Sequence, residues 1–270
     1  MEITLNQAAN YVRALRDSII VVKIGGSTLG SSDTTLDDLA TLHKLGVDVV
    51  VVHGGGAEIT EWLKRIGKEP VFVRGLRVTD EETLDVAVMA LAGKVNKQLV
   101  AGLISRGSLA VGICGADGGT LVSSIQKKEL GLVGKIEEVN TELLKHFLMI
   151  NIMPVIAPIG VDIFSGQLLN INADTAAGEI AAALDADQLV FLTDVPGIMD
   201  AQKQVIPHLD TKTTKRLIKS GVISKGMIPK AEACLRMVEA DGRSLIVDGR
   251  EPGALLRALL TGEPGGTEIS

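Results

Sequence analysis

Apolar residues in this chain come in short continuous runs more than in strict alternation. Ile19 to Ile24 is apolar except for Lys23, and Val47 to Val52 is interrupted only by Asp48. Runs of this length, rich in β-branched residues, predict strands covered on both faces, as in parallel sheets. Each run ends in glycine, at Gly25-Gly26-Ser27 and at His53-Gly54-Gly55-Gly56. Helical spacing follows each turn, over about Thr35 to Leu45 and Glu58 to Ile66. Strand, glycine turn and helix, twice over, predict a parallel sheet. Ligands of such sheets bind at the carboxyl ends of the strands. Both glycine turns should therefore open on the same side.

Thr79 and Glu82 read as a capping box for a long helix running to about Ser105. Leu109 to Cys114 predicts another strand, residues 121–139 a strand pair, and Pro154 to Pro158 a short strand. Ile163 to Ile171 reads as a hairpin turning at Ser165-Gly166, followed by a helix from Thr175 to Leu184. The C-terminal part opens with a strand over Gln188 to Leu192. It continues with a helix from Thr211 to Lys219, a helix opening at Pro229, a strand over Ser244 to Val247 and a helix over Gly253 to Leu260. Near the N-terminus, Leu5, Ala8, Ala9, Val12 and Leu15 predict an amphipathic helix over 4–16. It either covers an edge of the domain or docks on a second subunit. The pattern as a whole is α/β, one doubly wound sheet with two lobes and a boundary near residue 180.

Composition narrows the picture. The 270 residues are 46% apolar but only 2% aromatic, so the core must be built from Val, Ile, Leu and Ala. A net charge of −6 with no basic run points away from a nucleic-acid surface. Cys114 and Cys234 have no metal-ligand spacing, which fits a reducing cytoplasm. No signal peptide is read at the N-terminus, and no apolar run is as long as a membrane span. The four histidines form no cluster, so no metal site is implied; His53, before the glycines, reads as structural or as a support behind the site residues, not as a catalytic base.

Several polar residues stand where chemistry is expected. Lys23 interrupts a buried strand, where an unpaired ammonium is strongly unfavourable. It either snorkels to the strand end or serves as a phosphate ligand beside the glycine turn; the adjacency of that turn favours the second. Lys230 lies in the first turn of a helix, against the dipole. A surface lysine tolerates that position, and an anion at the helix end would reverse the sign. Arg77 is either a solvated loop arginine or a two-pronged carboxylate ligand. Asp174, in N-I-N-A-D with Asn170 and Asn172, either caps a helix or sits between the two lysines. Asp194 ends a strand, where a nucleotide or the backbone turn could donate to it. Neither G-x-x-x-x-G-K-[ST] nor G-x-G-x-x-G is present, against a P-loop and a Rossmann dehydrogenase.

The motifs V-V-K-I-G-G-S, V-V-H-G-G-G, G-L-R-V-T-D, N-I-N-A-D, T-D-V-P-G-I and K-G-M-I-P-K occur in this order over nearly the whole chain. The series resembles the amino-acid kinase family, and G-L-R-V-T-D with N-I-N-A-D resembles its acetylglutamate kinase branch. The resemblance implies a three-layer αβα sandwich with an open, mostly parallel central sheet and two lobes around a cleft. Residues 1–180 would bind acetylglutamate and dimerise; residues 181–270 would bind ATP. The implied reaction moves the γ-phosphoryl group of ATP to the side-chain carboxylate of N-acetyl-L-glutamate, a step in arginine biosynthesis. Lys23 and Lys230 resemble the lysines flanking that group, and Asp174 the residue that organises them. Gly25, Gly26, Gly55 and Gly56 resemble its backbone donors. Arg77 and Asn170 resemble ligands of the substrate α-carboxylate, with Asn172 nearby, and Asp194, Gly197 and Met227 match nucleotide-binding stretches. Mg²⁺ would be held mainly by ATP oxygens, with no protein cage.

A carboxylate nucleophile is already ionised near neutral pH, since free Glu titrates around 4.3. It needs alignment and charge relief, not a general base. The resemblance also implies a homodimer, and a hexamer through the N-terminal helix with its Tyr11. Gly253 and Ala258 stand where arginine-inhibited members carry His and Glu, so arginine inhibition stays open; separately, Ala116 replaces a lysine common in G-K-D-G. Two alternatives compete: a kinase of carrier-protein-bound aminoadipate in lysine biosynthesis, and a non-catalytic arginine-sensing module on the same fold.

Overall fold

A computed structural model of the chain describes residues 13, 15, 16, 18–25, 34–73, 75–261 and 265–270. Gly26 lies outside the described residues, as does the expected helix over 4–16 with Tyr11, apart from Arg13, Leu15 and Arg16. The strands are β1 (Ile19–Ile24), β2 (Asp48–His53), β3 (Phe72–Val73), β4 (Leu76–Arg77), β5 (Ala110–Cys114), β6 (Leu121–Ile125), β7 (Gly134–Val139), β8 (Met153–Ala157), β9 (Ile159–Val161), β10 (Leu168–Asn170), β11 (Gln188–Thr193), β12 (His208–Leu209), β13 (Arg243–Asp248) and β14 (Gly266–Ile269). The helices are α1 (Thr35–Lys44), α2 (Gly56–Arg65), α3 (Glu81–Ser105), α4 (Glu142–Met149), α5 (Ala173–Ala183), α6 (Thr211–Lys219), α7 (Met227–Val238) and α8 (Ala254–Leu260).

The main sheet has the order β12-β14-β13-β11-β1-β2-β8-β5. Its neighbours from β13 to β5 all pair in parallel. Only β14 runs antiparallel to β13, with β12 parallel to it at the edge. From β1 the sheet extends to one side through β2, β8 and β5, formed by the first part of the chain, and to the other through β11, β13, β14 and β12, formed by the last. The strand order reverses at β1, and such a switch point opens a crevice at the carboxyl ends of the strands. β1 and β2 are direct neighbours in register, so their glycine turns share that end.

Side-chain alternation sorts the helices into two layers. Ile20, Val22 and Ile24 pack with Leu39 and Leu42 of α1, Leu99 and Leu103 of α3, and Leu255 and Leu259 of α8. Val21, with Val50, Val52 and Phe191, packs on the opposite face with Leu144 of α4, Ile180 of α5 and Met237 of α7. This is the expected three-layer αβα arrangement. By parity with Val21, Lys23 falls on the face covered by α5 and α7. A second sheet, β10-β9-β6-β7, and the β3–β4 hairpin complete the fold.

Several local expectations change. The cap of α3 is Asp80, whose carboxylate accepts from the Thr83 N–H at 2.9 Å. Thr79 donates to the Arg77 carbonyl at 3.0 Å, and Glu82 pairs with Lys68 at 2.8 Å, so no capping box forms. The hairpin expected over Ile163 to Ile171 pairs β9 with β10, and its first strand ends before Ile163. At 25 residues α3 is long and apolar enough to cross a bilayer, which the run-by-run reading of the sequence did not register. Its Leu84, Leu91, Leu99 and Leu103 are instead buried within the molecule. Residues Met89–Val95 of α3 form a π-helical segment, which nothing in the sequence pattern announced.

Candidate active site

Lys23, second from the end of β1, is 6% exposed. Its ammonium lies 2.7 Å from Oδ1 of Asp174, an ion pair whose alignment falls short of hydrogen-bond geometry. Lys230, in the first turn of α7, donates to Oδ2 of the same carboxylate at 2.7 Å. Three residues far apart in sequence thus meet because β1, α5 and α7 pack together. Burial holds the Lys23 pKa below its ordinary value, outweighing the attraction of Asp174. For Asp174 burial acts upward, but the two ammonium groups outweigh it and its pKa is lowered. Asp174 does not cap α5: Asn172 does, its side-chain oxygen accepting from the N–H groups of Asp174 at 2.9 Å and Thr175 at 3.0 Å. With the cap supplied by a neighbour, both Asp174 oxygens are left to the lysines.

Beside this trio lies a cavity of about 230 Å³, lined among others by Lys23, Gly55, Gly56, Arg77, Asn170, Asn172 and Asp174. The glycine turns differ from each other. The Gly25 N–H donates to the Leu192 carbonyl at 3.1 Å, extending the β1–β11 ladder. To donate to a ligand it would have to give up that bond. Gly55 and Gly56, at the entry of α2, border the cavity directly.

Arg77 is no solvated loop arginine. It lies in β4, is 8% exposed, and stacks on the Phe72 ring at 4.8 Å. One guanidinium nitrogen donates to the Gly56 carbonyl and the Thr60 hydroxyl, each at 2.9 Å. The other terminal nitrogen is buried with no hydrogen-bond partner. Burial lowers the Arg77 pKa, although a guanidinium stays protonated. A buried cation without a carboxylate invites an anionic ligand. Asn170 is held beside it, its amide donating to the Thr79 hydroxyl at 3.1 Å.

The nucleotide-side residues do not line the cavity. Asp194, just past β11, is exposed, yet its carboxylate acts on the Lys23 ammonium. Gly197 is buried, and the next residue, Ile198, donates its N–H to the Thr267 hydroxyl of β14 at 2.8 Å. Met227 begins α7, three residues before Lys230. Among the described residues no group of three or more metal-ligating side chains occurs.

Sequence reading left out Asn96, which is fully buried beside His53, and the Phe72 platform under Arg77. A buried asparagine in an apolar helix was the available signal, since such a group must be hydrogen-bonded.

Comparison with known proteins places the chain among relatives. The family described as "Amino acid kinase family" matches residues 18–248. Acetylglutamate kinase of Dehalococcoides mccartyi (strain CBDB1) is 44% identical over 254 residues, covering 92% of this chain and 93% of that protein. Acetylglutamate kinase of Prochlorococcus marinus (strain NATL1A) is 42% identical, covering 98% and 90%. Among solved structures, N-acetylglutamate synthase from Neisseria gonorrhoeae, complexed with coenzyme A and N-acetyl-glutamate, superposes with a TM-score of 0.87 at 26% identity. That match covers 98% of this chain, which spans 62% of the synthase. With the motifs, the sheet order and a relative at 44% identity all in agreement, the chain belongs to the amino acid kinase family.

Proposed function

We infer that this chain transfers the γ-phosphoryl group of ATP to the side-chain carboxylate of N-acetyl-L-glutamate, giving N-acetylglutamyl 5-phosphate, in the cytoplasm and on the route to arginine. The observation that carries the reading is the Lys23–Asp174–Lys230 trio beside a cavity holding an unpaired, buried arginine nitrogen. Two ammonium groups against one carboxylate leave a positive charge where two anions must meet. The names of the relatives supply the substrate.

In this reading Arg77 and Asn170 grip the substrate α-carboxylate, with Asn172 alongside. The free side-chain carboxylate of the substrate is the nucleophile and needs no base. Lys23 and Lys230 flank the transferred group and offset its charge, while Asp174 keeps their ammonium groups at a fixed separation. Gly55 and Gly56 present backbone N–H groups to it, since donors aimed at developing charge are the strongest preorganised contribution. Asp194, Gly197 and Met227 belong to the nucleotide side, in a lobe that takes in residues 181–270. Mg²⁺ fits as an ion held by ATP oxygens, because the carboxylate at this centre already serves two lysines. When bound, it neutralises phosphate charge.

The same reading extends to assembly. Leu109, Met149 and Ile150 are exposed apolar residues around the start of the edge strand β5, and Met89 and Ile104 are exposed on α3. They support a homodimer through this edge, with a hexamer formed through the N-terminal segment.

The test is a coupled assay of ADP release with N-acetylglutamate, with and without arginine, and trapping of the acyl phosphate by hydroxylamine. ADP release that depends on N-acetylglutamate and yields a hydroxamate is expected. Release independent of N-acetylglutamate, or turnover only with carrier-bound aminoadipate, would overturn the reading.

A further inference from the structure

The π-helical segment of α3 lies against the glycine turn after β2. A Cβ on Gly55 would sit 2.5 Å from Leu91 Cδ2, so the segment presses directly on the turn. Asn96 follows the segment immediately and is fully buried. Its amide nitrogen donates to the Val155 carbonyl at 2.9 Å and shares its other hydrogen between His53 Nε2 at 3.2 Å and the Ile113 carbonyl at 3.3 Å, while its oxygen accepts from Lys97 at 3.0 Å. The other ring nitrogen of His53, Nδ1, lies 2.8 Å from the Gly54 carbonyl. A carbonyl only accepts, so Nδ1 carries the hydrogen, and Nε2 is left to accept from Asn96. The two contacts thus require one neutral tautomer, in one orientation. Burial favours the same form, holding the His53 pKa down to about 4.

The Gly54 carbonyl and the Gly55 N–H belong to one planar peptide and point in opposite directions. His53 shares the parity of Val49 and Val51, so its ring lies on the face covered by α3. Lys23 lies on the other face, with Asp174. A carbonyl drawn toward α3 turns the Gly55 N–H toward the Lys23 side.

We propose that His53 and Asn96 are positioning residues which lock the Gly54–Gly55 peptide so that the Gly55 N–H faces the transferred phosphoryl group. This rests on the phosphoryl-transfer reading above and adds the residues that aim one of its donors. Asn96 fixes the ring, the ring fixes the carbonyl, and the peptide plane passes that orientation to the N–H. π-Segments inside α-helices are mostly single-turn insertions found at functional sites. Here the segment brings Leu91 and Asn96 onto the same turn.

The experiment compares His53→Asn with His53→Gln by steady-state kinetics. An asparagine amide nitrogen sits near the place of Nδ1 and still donates to the Gly54 carbonyl. A glutamine amide sits near the place of Nε2 and does not. Removing one preorganised donor costs roughly 10²–10³ in kcat, so kcat for His53→Gln should fall at least about tenfold, with the KM for N-acetylglutamate little changed. His53→Asn should restore most of that loss. Equal rates for the two variants, or a wild-type rate for His53→Gln, would overturn the proposal. If either variant fails to fold, the wild-type protein decides by long-range ¹H–¹⁵N correlation of its histidine rings. The neutral Nδ1–H form is expected at neutral pH, and an Nε2–H form or an imidazolium would sink the idea. Lys23→Ala, assayed in parallel, separates the two levels. Full activity there defeats phosphoryl transfer at this site, whereas its loss beside equal Asn and Gln rates defeats this proposal alone.

Discussion

Lys23 lowers the stability of the fold in order to stand where it does. An ammonium in a strand covered on both faces loses most of its hydration, and Asp174 repays only part. Because its folded pKa lies below 10.5, charged Lys23 weighs against folding, and that burden is relieved as pH rises through the lowered value toward the unfolded one. Asp174 has the opposite sign. Its folded pKa is lowered, so its contribution is complete above the unfolded value and disappears as pH falls through the folded one. Asp174→Asn would leave the buried Lys23 ammonium facing the half-buried one of Lys230, and losing one partner of a buried pair costs about 3–5 kcal/mol. Urea titrations from about pH 3 to 6 should show the variant less stable than wild type at the upper end, the gap closing toward the acid end. Lys23→Ala should lower kcat by about 10²–10³ and change the KM for ATP far less. Arg77→Ala should act on the other substrate. A hydrogen bond to a charged group is worth about 1.5–3 kcal/mol, so the KM for N-acetylglutamate should rise about 10- to 100-fold with kcat less affected. A defect confined to ATP would contradict that assignment.

The trio depends on how closely α5 and α7 approach. Gly178 lies one turn beyond Asp174 on α5, and Ala233 nearly one turn beyond Lys230 on α7. A Cβ on Gly178 would fall 2.7 Å from the Ala233 Cβ and 2.9 Å from its Cα, so the helices touch nearly backbone to backbone. By helix propensity alone Gly178→Ala would stabilise α5 by about 1 kcal/mol. Overpacking costs about 1–3 kcal/mol and acts against it. A lower melting temperature together with a lower kcat is expected, the second because α7 carries Lys230. A higher melting temperature at unchanged kcat would show that this contact does not set the spacing. Element types were legible where apolar runs were long, and α6 matches its predicted range of Thr211 to Lys219. Caps were misread because several side chains competed for each helix start. Asp80 took the place expected of Thr79, and Asn172 the place open to Asp174.

Across the molecule, the reversal of strand order at β1 brings distant residues together. β1 supplies Lys23, the chain after β10 supplies Asp174, and α7, beyond β11, supplies Lys230. In the proposed assembly, deleting residues 1–16 should reduce particle size without abolishing activity. Sedimentation showing no change would refute a hexamer built through that segment. The sequence alone determined the fold class, the family and most of the residue types at the site, because strand runs, glycine turns and ordered motifs are local features of the chain. Tertiary structure decided which of those residues meet. It freed Asp174 from capping, buried one Arg77 nitrogen without a partner, engaged the Gly25 N–H in the sheet and joined Asn96 to His53. Those outcomes depend on which faces of distant strands and helices pack together, and periodicity within one segment carries no information about its neighbour in space.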